Sequence, residues 1–165
     1  MTAAKAYSFV TVMNGLQHKE AVSIGLLVVG DLPALHNEIY SNRDQLTELE
    51  WVANSTYAQF ENHYRQLIGL DDLKIFVIRC SGEIAGVFEA EVRDGSYFIG
   101  FWLSPKFRGQ GIITYAGNHI INNHLGADSK LTADTKVSNT KSVNVLSRLG
   151  LKEVSRTNEV IYYQK

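Results

Sequence analysis

From residue 104 to residue 113 the chain reads Ser-Pro-Lys-Phe-Arg-Gly-Gln-Gly-Ile-Ile, with two glycines one residue apart and an arginine directly before them. Glycine lets a backbone turn sharply and come close to a ligand. The apolar run Tyr97 to Leu103 on one side has the make-up of a strand, and the amphipathic stretch on the other side that of a helix. A helix start presents unpaired N–H groups and the positive end of its dipole, so a glycine bend at that point suits an anion. The alternative is an ordinary strand-to-helix turn. No Lys-Ser or Lys-Thr follows Gly111, which excludes a Walker loop, and the third glycine of the dinucleotide fingerprint is absent.

A second group with chemical potential is the carboxylate pair Glu89 and Glu91. Asp94-Gly95 is the strongest hairpin signal in the chain, and as a two-residue loop it sets Arg93 against Ser96, Glu91 against Phe98 and Glu89 against Gly100. Period two then places both glutamates on one sheet face with Phe98, Gly100 and Trp102, while Ile84, Phe88, Ala90 and Val92 point the other way into a core. His119 and His124 are five apart and are expected on different helical faces; with Cys80 distant, no metal site is expected. No triad of nucleophile, base and orienting group is readable.

The elements that must hold these residues follow from the rest of the pattern. Tyr7 to Met13 and Val22 to Val29 read as antiparallel strands joined through Asn14-Gly15. Asp31 is placed to cap a helix with Pro33 in its first turn and Leu32, Leu35 and Ile39 at helical spacing. Further helices are expected over 45–53 and 57–68, the latter with a stripe of Phe60, Tyr64 and Leu67. Lys74 to Cys80 and Ile84 to Arg93 are strands about Ser81-Gly82. Gln110 to Leu125 is helical, Leu131 to Val137 a strand, and Asn139 caps a helix that Gly150 stops. Leu151 to Ser155 and Val160 to Gln164 close the chain as a hairpin whose edge could support a homodimer. The expected fold is α/β of the α+β kind: a mixed, mostly antiparallel sheet of about six or seven strands flanked by helices.

Composition bounds the rest. At 165 residues, 45% hydrophobic and 20% charged, the chain suits one domain over 1–165. No apolar stretch nears the ~20 residues of a membrane span, and no export signal follows Met1, so a cytoplasmic protein without membrane contact is expected. The lone Cys80 fits a reducing compartment. A net charge of −1 gives no general attraction to nucleic acid. Residues 1–60 carry three basic and six acidic groups, which leaves 13 basic and 11 acidic in the remainder that holds the glycine bend. That bias is small enough to be scattered surface charge.

Arg108-Gly109-Gln110-Gly111-Ile112 resembles the acetyl-CoA pyrophosphate loop of the GNAT superfamily of N-acyltransferases, Gln/Arg-x-x-Gly-x-Gly/Ala, with Ile113 standing where that family prefers Gly or Ala. Asn139-Thr140-Lys141-Ser142 and Leu146-Ser147-Arg148-Leu149-Gly150-Leu151 resemble the family's Asn-x-x-Ser helix with its Leu-Gly-Phe end. Ile99-Gly100-Phe101-Trp102-Leu103 and Leu32-Pro33-Ala34-Leu35-His36 are similar to the RimJ/RimL branch, which acetylates N-termini of ribosomal proteins. The likeness covers about residues 20 to 156.

The resemblance implies an acetyl-CoA-dependent N-acetyltransferase without a metal. It implies that the backbone amides of Arg108, Gly109, Gln110, Gly111, Ile112 and Ile113 hold the pyrophosphate. It also implies that the strand before them carries a bulge, splays from its neighbour, and pairs with pantetheine through Phe101, Trp102 and Leu103, a main-chain N–H there serving as oxyanion donor. Asn139 then either contacts the cofactor or only caps its helix. The family's leaving-group tyrosine is replaced by Leu146, and Ser142 is the candidate proton donor in its place, the alternative being an ordinary serine in the first turn of its helix. Glu89 is the candidate base, with Glu91 second; the alternative is a solvated pair held by Arg93. Trp51, Tyr57, Tyr64 and Trp102 either line an acceptor pocket or belong to the core. The acceptor expected first is a protein N-terminus. A small amine or antibiotic, and a module that binds acyl-CoA without transferring it, are the alternatives.

Overall fold

The computed structural model describes residues 9–11, 22–46 and 50–165. Among them is one sheet built from β1 (Phe9–Thr11), β2 (Val22–Leu26), β3 (Leu73–Cys80), β4 (Glu83–Arg93), β5 (Ser96–Leu103), β6 (Leu131–Lys136), β7 (Lys152–Arg156) and β8 (Val160–Gln164), in the order β1-β2-β3-β4-β5-β6-β8-β7. It has eight strands with the three-residue β1 and seven without it. Every pairing is antiparallel except β5 with β6. The Asn14-Gly15 turn lies outside the described residues.

Two apolar cores form, one on each face. On one side α1 (Leu32–Ser41), α2 (Glu50–Asn54) and α3 (Tyr57–Leu67) cover Ile75, Val77 and Val87 with Leu32, Leu35, Ile39 and Phe60. On the other, α4 (Ile112–Ile120) and α5 (Thr140–Arg148) cover Phe76, Phe88, Ala90 and Ile99 with Ile112, Ala116, Ile120 and Leu146. The alternation along each strand thus feeds both layers, as a sheet covered on both faces requires.

The Asp94-Gly95 hairpin has the expected register, with Arg93 against Ser96, Glu91 against Phe98 and Glu89 against Gly100. Asp94 and Gly95 both have positive φ, 48° and 76°, the conformation a two-residue hairpin loop demands. Further along β4 the pattern departs from simple alternation. Ile78 pairs with Gly86 but Arg79 with Ile84, so Ala85 is an extra residue, a bulge. Ala85 therefore joins Phe88 on the α4 face and Ile84 turns to the α1 face, opposite to expectation. Val92, expected in the core, is 45% exposed at the far end of the strand.

Other differences are local. Asp31 makes no side-chain cap for α1; its carboxylate accepts from the Val28 N–H and pairs with Arg79 on β3. The expected 45–53 helix is a 3-10 turn at Arg43–Gln45 and then α2, with 47–49 outside the described residues. The long helix after the glycine bend changes to π geometry over Ile121–Gly126. A π turn bonds residues five apart and is wider than an α turn, and here the rings of His119 and His124 come to 5.8 Å, correcting the expectation that they share no face.

Candidate active site

β5 and β6 pair only at Tyr97 with Leu131 and Phe98 with Thr132. Beyond those positions the two parallel strands separate, so the expected splay is present. The opening lies at their C-terminal ends, from which the chain enters α4 and α5. Two helix starts therefore flank one gap in the sheet, the place where ligands enter open α/β sheets.

The main-chain directions in the gap follow from three hydrogen bonds. The Tyr97 N–H donates to the Lys130 carbonyl on the β6 side, at 2.9 Å, and the Ser104 N–H to the Ala85 carbonyl on the β4 side, at 2.7 Å. By period two, Phe101 and Leu103 aim their N–H and C=O groups into the gap and Trp102 aims its own at β4. Arg108 Nε donates to the Leu103 carbonyl at 2.8 Å, inside the gap. Phe101 thus remains to pair with an extended ligand, and Trp102 is set aside from the expected main-chain contacts. The register of β5 against β4 is unbroken; the expected bulge lies in β4 at Ala85 instead.

The bend after β5 runs through a 3-10 turn at Pro105–Phe107 to Gly109 and Gly111, both at φ 77°. Gly111 stands at the N-cap of α4 without any side-chain cap, and the first bond of the helix is donated by Tyr115 N–H to the Gly111 carbonyl. The first-turn amides of Ile112, Ile113 and Thr114 therefore lack an intrahelical acceptor. Nothing stands within 4 Å of where a Cβ on Gly109 would be. The Thr114 hydroxyl is shut off from solvent with no hydrogen-bond partner. Ile113 sends its side chain into the core, so its size does not fill the bend. Unclaimed amides, an orphan hydroxyl and open space beside a glycine together fit a diphosphate.

The structure separates the two glutamates. Glu91 is ion-paired with Arg93, whose Nε donates to it at 2.9 Å. Among the described residues Glu89 has no ion-pair partner, and burial, with a smaller push from Glu91, raises its carboxyl above the ordinary glutamate range. Its charge in turn adds to the burial that raises the Tyr64 phenol. Across the ladder from Glu89, no atom lies within 4 Å of a Cβ built on Gly100. A carboxylate that resists ionisation thus faces open space at the apex of the splay.

At the second helix start, Asn139 Oδ1 accepts from the Ser142 N–H at 3.1 Å, so Asn139 does cap α5. Ser142 is half-buried in the first turn of α5, next to the gap. Leu146, one turn on, is buried in the core and brings no phenol to the site. Of the aromatic candidates, Tyr64 is core and Trp102 packs on it, whereas Trp51 is 55% exposed and Tyr57 lies at the surface. A depression at the α2–α3 junction is lined by Trp51, Asn54, Ser55 and Gln59. Glu38 on α1, which the sequence did not single out, accepts from the Ser104 hydroxyl. No group of three metal-ligating side chains occurs among the described residues, and no helix there is long and apolar enough to cross a membrane.

A splayed parallel pair, with an uncapped helix start behind a glycine bend and a half-buried carboxyl at its apex, leaves room for an extended ligand that carries an anion. The chain matches the acetyltransferase (GNAT) domain over residues 24–152 and belongs to that family. It is an acetyl-CoA-dependent N-acetyltransferase. No curated protein matches it in sequence. Among solved structures it is similar to the apo form of RimL, a ribosomal L7/L12 alpha-N-protein acetyltransferase, with 19% identity, a TM-score of 0.81 and coverage of 100% of this chain and 97% of that one. It is similar also to the ribosomal-protein-S5-alanine acetyltransferase of Vibrio fischeri, at 20% identity, TM-score 0.73, and 92% and 96% coverage. The microcin C7 self-immunity acetyltransferase MccE, in complex with acetyl-CoA and AMP, gives 22%, 0.73, and 86% and 91%.

Proposed function

We propose that this enzyme acetylates a protein N-terminal α-amine by direct transfer, with Glu89 as base and Ser142 as proton donor. The observation that carries the reading is the half-buried carboxyl of Glu89, without an ion-pair partner among the described residues, opposite the open space at Gly100. An attacking amine must be neutral. An α-amine titrates near 8 and a lysine near 10.4, so deprotonating the lysine at pH 7 costs about 3 kcal/mol more. A single carboxylate with a raised pKa is a base of the strength the α-amine needs. The likeness to RimL and to the S5-alanine enzyme supports the same acceptor class.

Acetyl-CoA supplies an activated acyl group whose carbonyl accepts the amine. The residues do the remainder. Amides from Gly109 to Ile113, with the Thr114 hydroxyl, hold the diphosphate, and Arg108 fixes the end of β5 through the Leu103 carbonyl. The Phe101 N–H, directed into the gap, donates to the oxygen on which charge develops. As the C–S bond breaks, Ser142 hydrogen-bonds to the departing sulfur and passes it a proton, drawing its own replacement from solvent while Glu89 keeps the one lost by the amine; its helix start is held by Asn139.

Thiols titrate near 8.5, so the thiolate departs with modest help. Ser142→Ala is therefore expected to lower kcat by only about tenfold, the worth of one hydrogen bond to a charged group. Release of free thiol from acetyl-CoA, followed with a panel of N-terminal peptides, polyamines and aminoglycosides, tests both substrate and role. Turnover of peptides blocked at the α-amine, or of small amines alone, contradicts the acceptor; an unchanged kcat in Ser142→Ala contradicts the donor. The likeness to MccE supports a small-molecule acceptor as the second reading, and the same panel separates the two.

A further inference from the structure

The residue that joins the two sides of the site lies on neither strand of the gap. Ser104, the first residue after β5, is fully buried, and all three of its polar groups are engaged. Its N–H donates to the bulged Ala85 at 2.7 Å, its carbonyl accepts from the Phe107 N–H at 2.9 Å, and its hydroxyl donates to Glu38 Oε1 at 2.5 Å. Glu38 belongs to α1, in the helical layer on the other face of the sheet. Its carboxylate is held in turn by Asn42, whose Nδ2 donates to Glu38 Oε1 at 3.1 Å and to the Glu38 carbonyl at 2.8 Å. The bend toward Gly109 starts directly beyond Ser104. Its other tie to β4, Lys106 to Glu83, is half-exposed, and an exposed pair holds little.

We propose that Glu38 is a positioning residue: through Ser104 it fixes the start of the diphosphate-binding bend relative to α1, and so sets the affinity for the acyl-CoA. The proposal rests on the reading of that bend as the diphosphate site. Its physical basis is that a buried hydroxyl bonded to a carboxylate is strong and directional, whereas leaving that hydroxyl unpaired in an apolar layer costs more than the bond's net worth. With Glu38 cut back, Ser104 must turn toward another acceptor, and the residues that follow it move with it.

Calorimetry with coenzyme A on the whole chain tests this with four proteins. Glu38→Ala is expected to weaken coenzyme A binding about tenfold, the effect of losing one charge-assisted hydrogen bond. Glu38→Gln keeps an Oε1 acceptor for Ser104 and is expected to bind within about twofold of the unaltered protein. Ile24→Ala, a cavity in β2, three strands from β5, is expected to lower Tm at least as much as Glu38→Ala and to leave coenzyme A affinity unchanged. In turnover, Glu38→Ala should raise the KM for acetyl-CoA with kcat kept at saturation. Unaltered protein that binds no coenzyme A overturns the diphosphate reading itself. Normal binding by Glu38→Ala, equal weakening in Ile24→Ala, or failure of Glu38→Gln to restore affinity overturns the positioning role while leaving that reading intact.

Discussion

Glu89→Gln is expected to lower kcat by about 10²- to 10⁴-fold, the range for loss of a general base, and at the same time to raise thermal stability at neutral pH. The two effects have one cause. Burial disfavours the ionised carboxyl, so the folded state holds the Glu89 proton more tightly than the unfolded chain does. The folded protein then binds more protons than the unfolded one between the ordinary glutamate pKa and the raised value, and stability falls as pH rises through that window. Glutamine has the same shape without the charge and escapes the penalty. Its stability advantage should be full above the raised pKa and should vanish below the ordinary glutamate range. The kcat of the unaltered enzyme should fall as pH drops through the raised pKa, and that acid limb should be missing in Glu89→Gln. A variant that keeps its kcat and shows no pH-dependent gain in Tm would mean that Glu89 only fills space.

The second large effect is structural and falls on the floor of the site. A Cβ on Gly86 would stand 2.2 Å from the Trp102 carbonyl oxygen and 3.0 Å from the Leu103 Cα. Both are backbone atoms of the paired strand, so no side-chain rotation relieves the clash. Gly86→Ala must push β5 away from β4, and overpacking of this kind costs about 3 kcal/mol or more. The displaced residues border Phe101 and Ser104, so thiol release from acetyl-CoA should fall even at temperatures where the variant is still folded. Urea unfolding and a turnover assay on the same sample check the two halves. A stability loss below about 1 kcal/mol would mean that the two strands are less tightly constrained than their pairing implies.

What the sequence announced and what it concealed divide along the reach of the interactions involved. The Asp94-Gly95 turn is decided by two residues whose conformations demand positive φ, and it carried the register as far as Glu89 and Gly100. The glycine bend, the cap at Asn139 and the stop at Gly150 are likewise local, and each falls where its residues place it. The bulge at Ala85 is different. It is a slip in the pairing of β4 with β3, next to the close approach of Gly86 to Trp102, 16 positions away, and periodicity alone puts Ile84 on the wrong face. The π turn over Ile121–Gly126 widens the turn beyond the α-helical 3.6 residues with no proline or glycine in its interior to warn of it, and it therefore hid the approach of His119 to His124. Asp31 looked like a cap because its type and place before Pro33 are right, but Arg79, 48 residues away, takes its carboxylate. Glu38 offered no local signal at all; its partner Ser104 is 66 residues distant. The carboxylates posed the instructive case. The chain presented Glu89 and Glu91 as equals on one face, and only the third dimension assigns Arg93 to Glu91 and leaves Glu89 half-buried without a counter-charge among the described residues.

Acyl transfer at this site depends on where the diphosphate sits. A crystal structure of the protein with coenzyme A measures it most directly. The expected result has the diphosphate against the amides of Gly109 to Ile113, the Thr114 hydroxyl bonded to it, and the pantetheine extended in the gap between β5 and β6 alongside Phe101. Coenzyme A found elsewhere on the protein, with the bend closed by its own side chains and the gap empty, would contradict it.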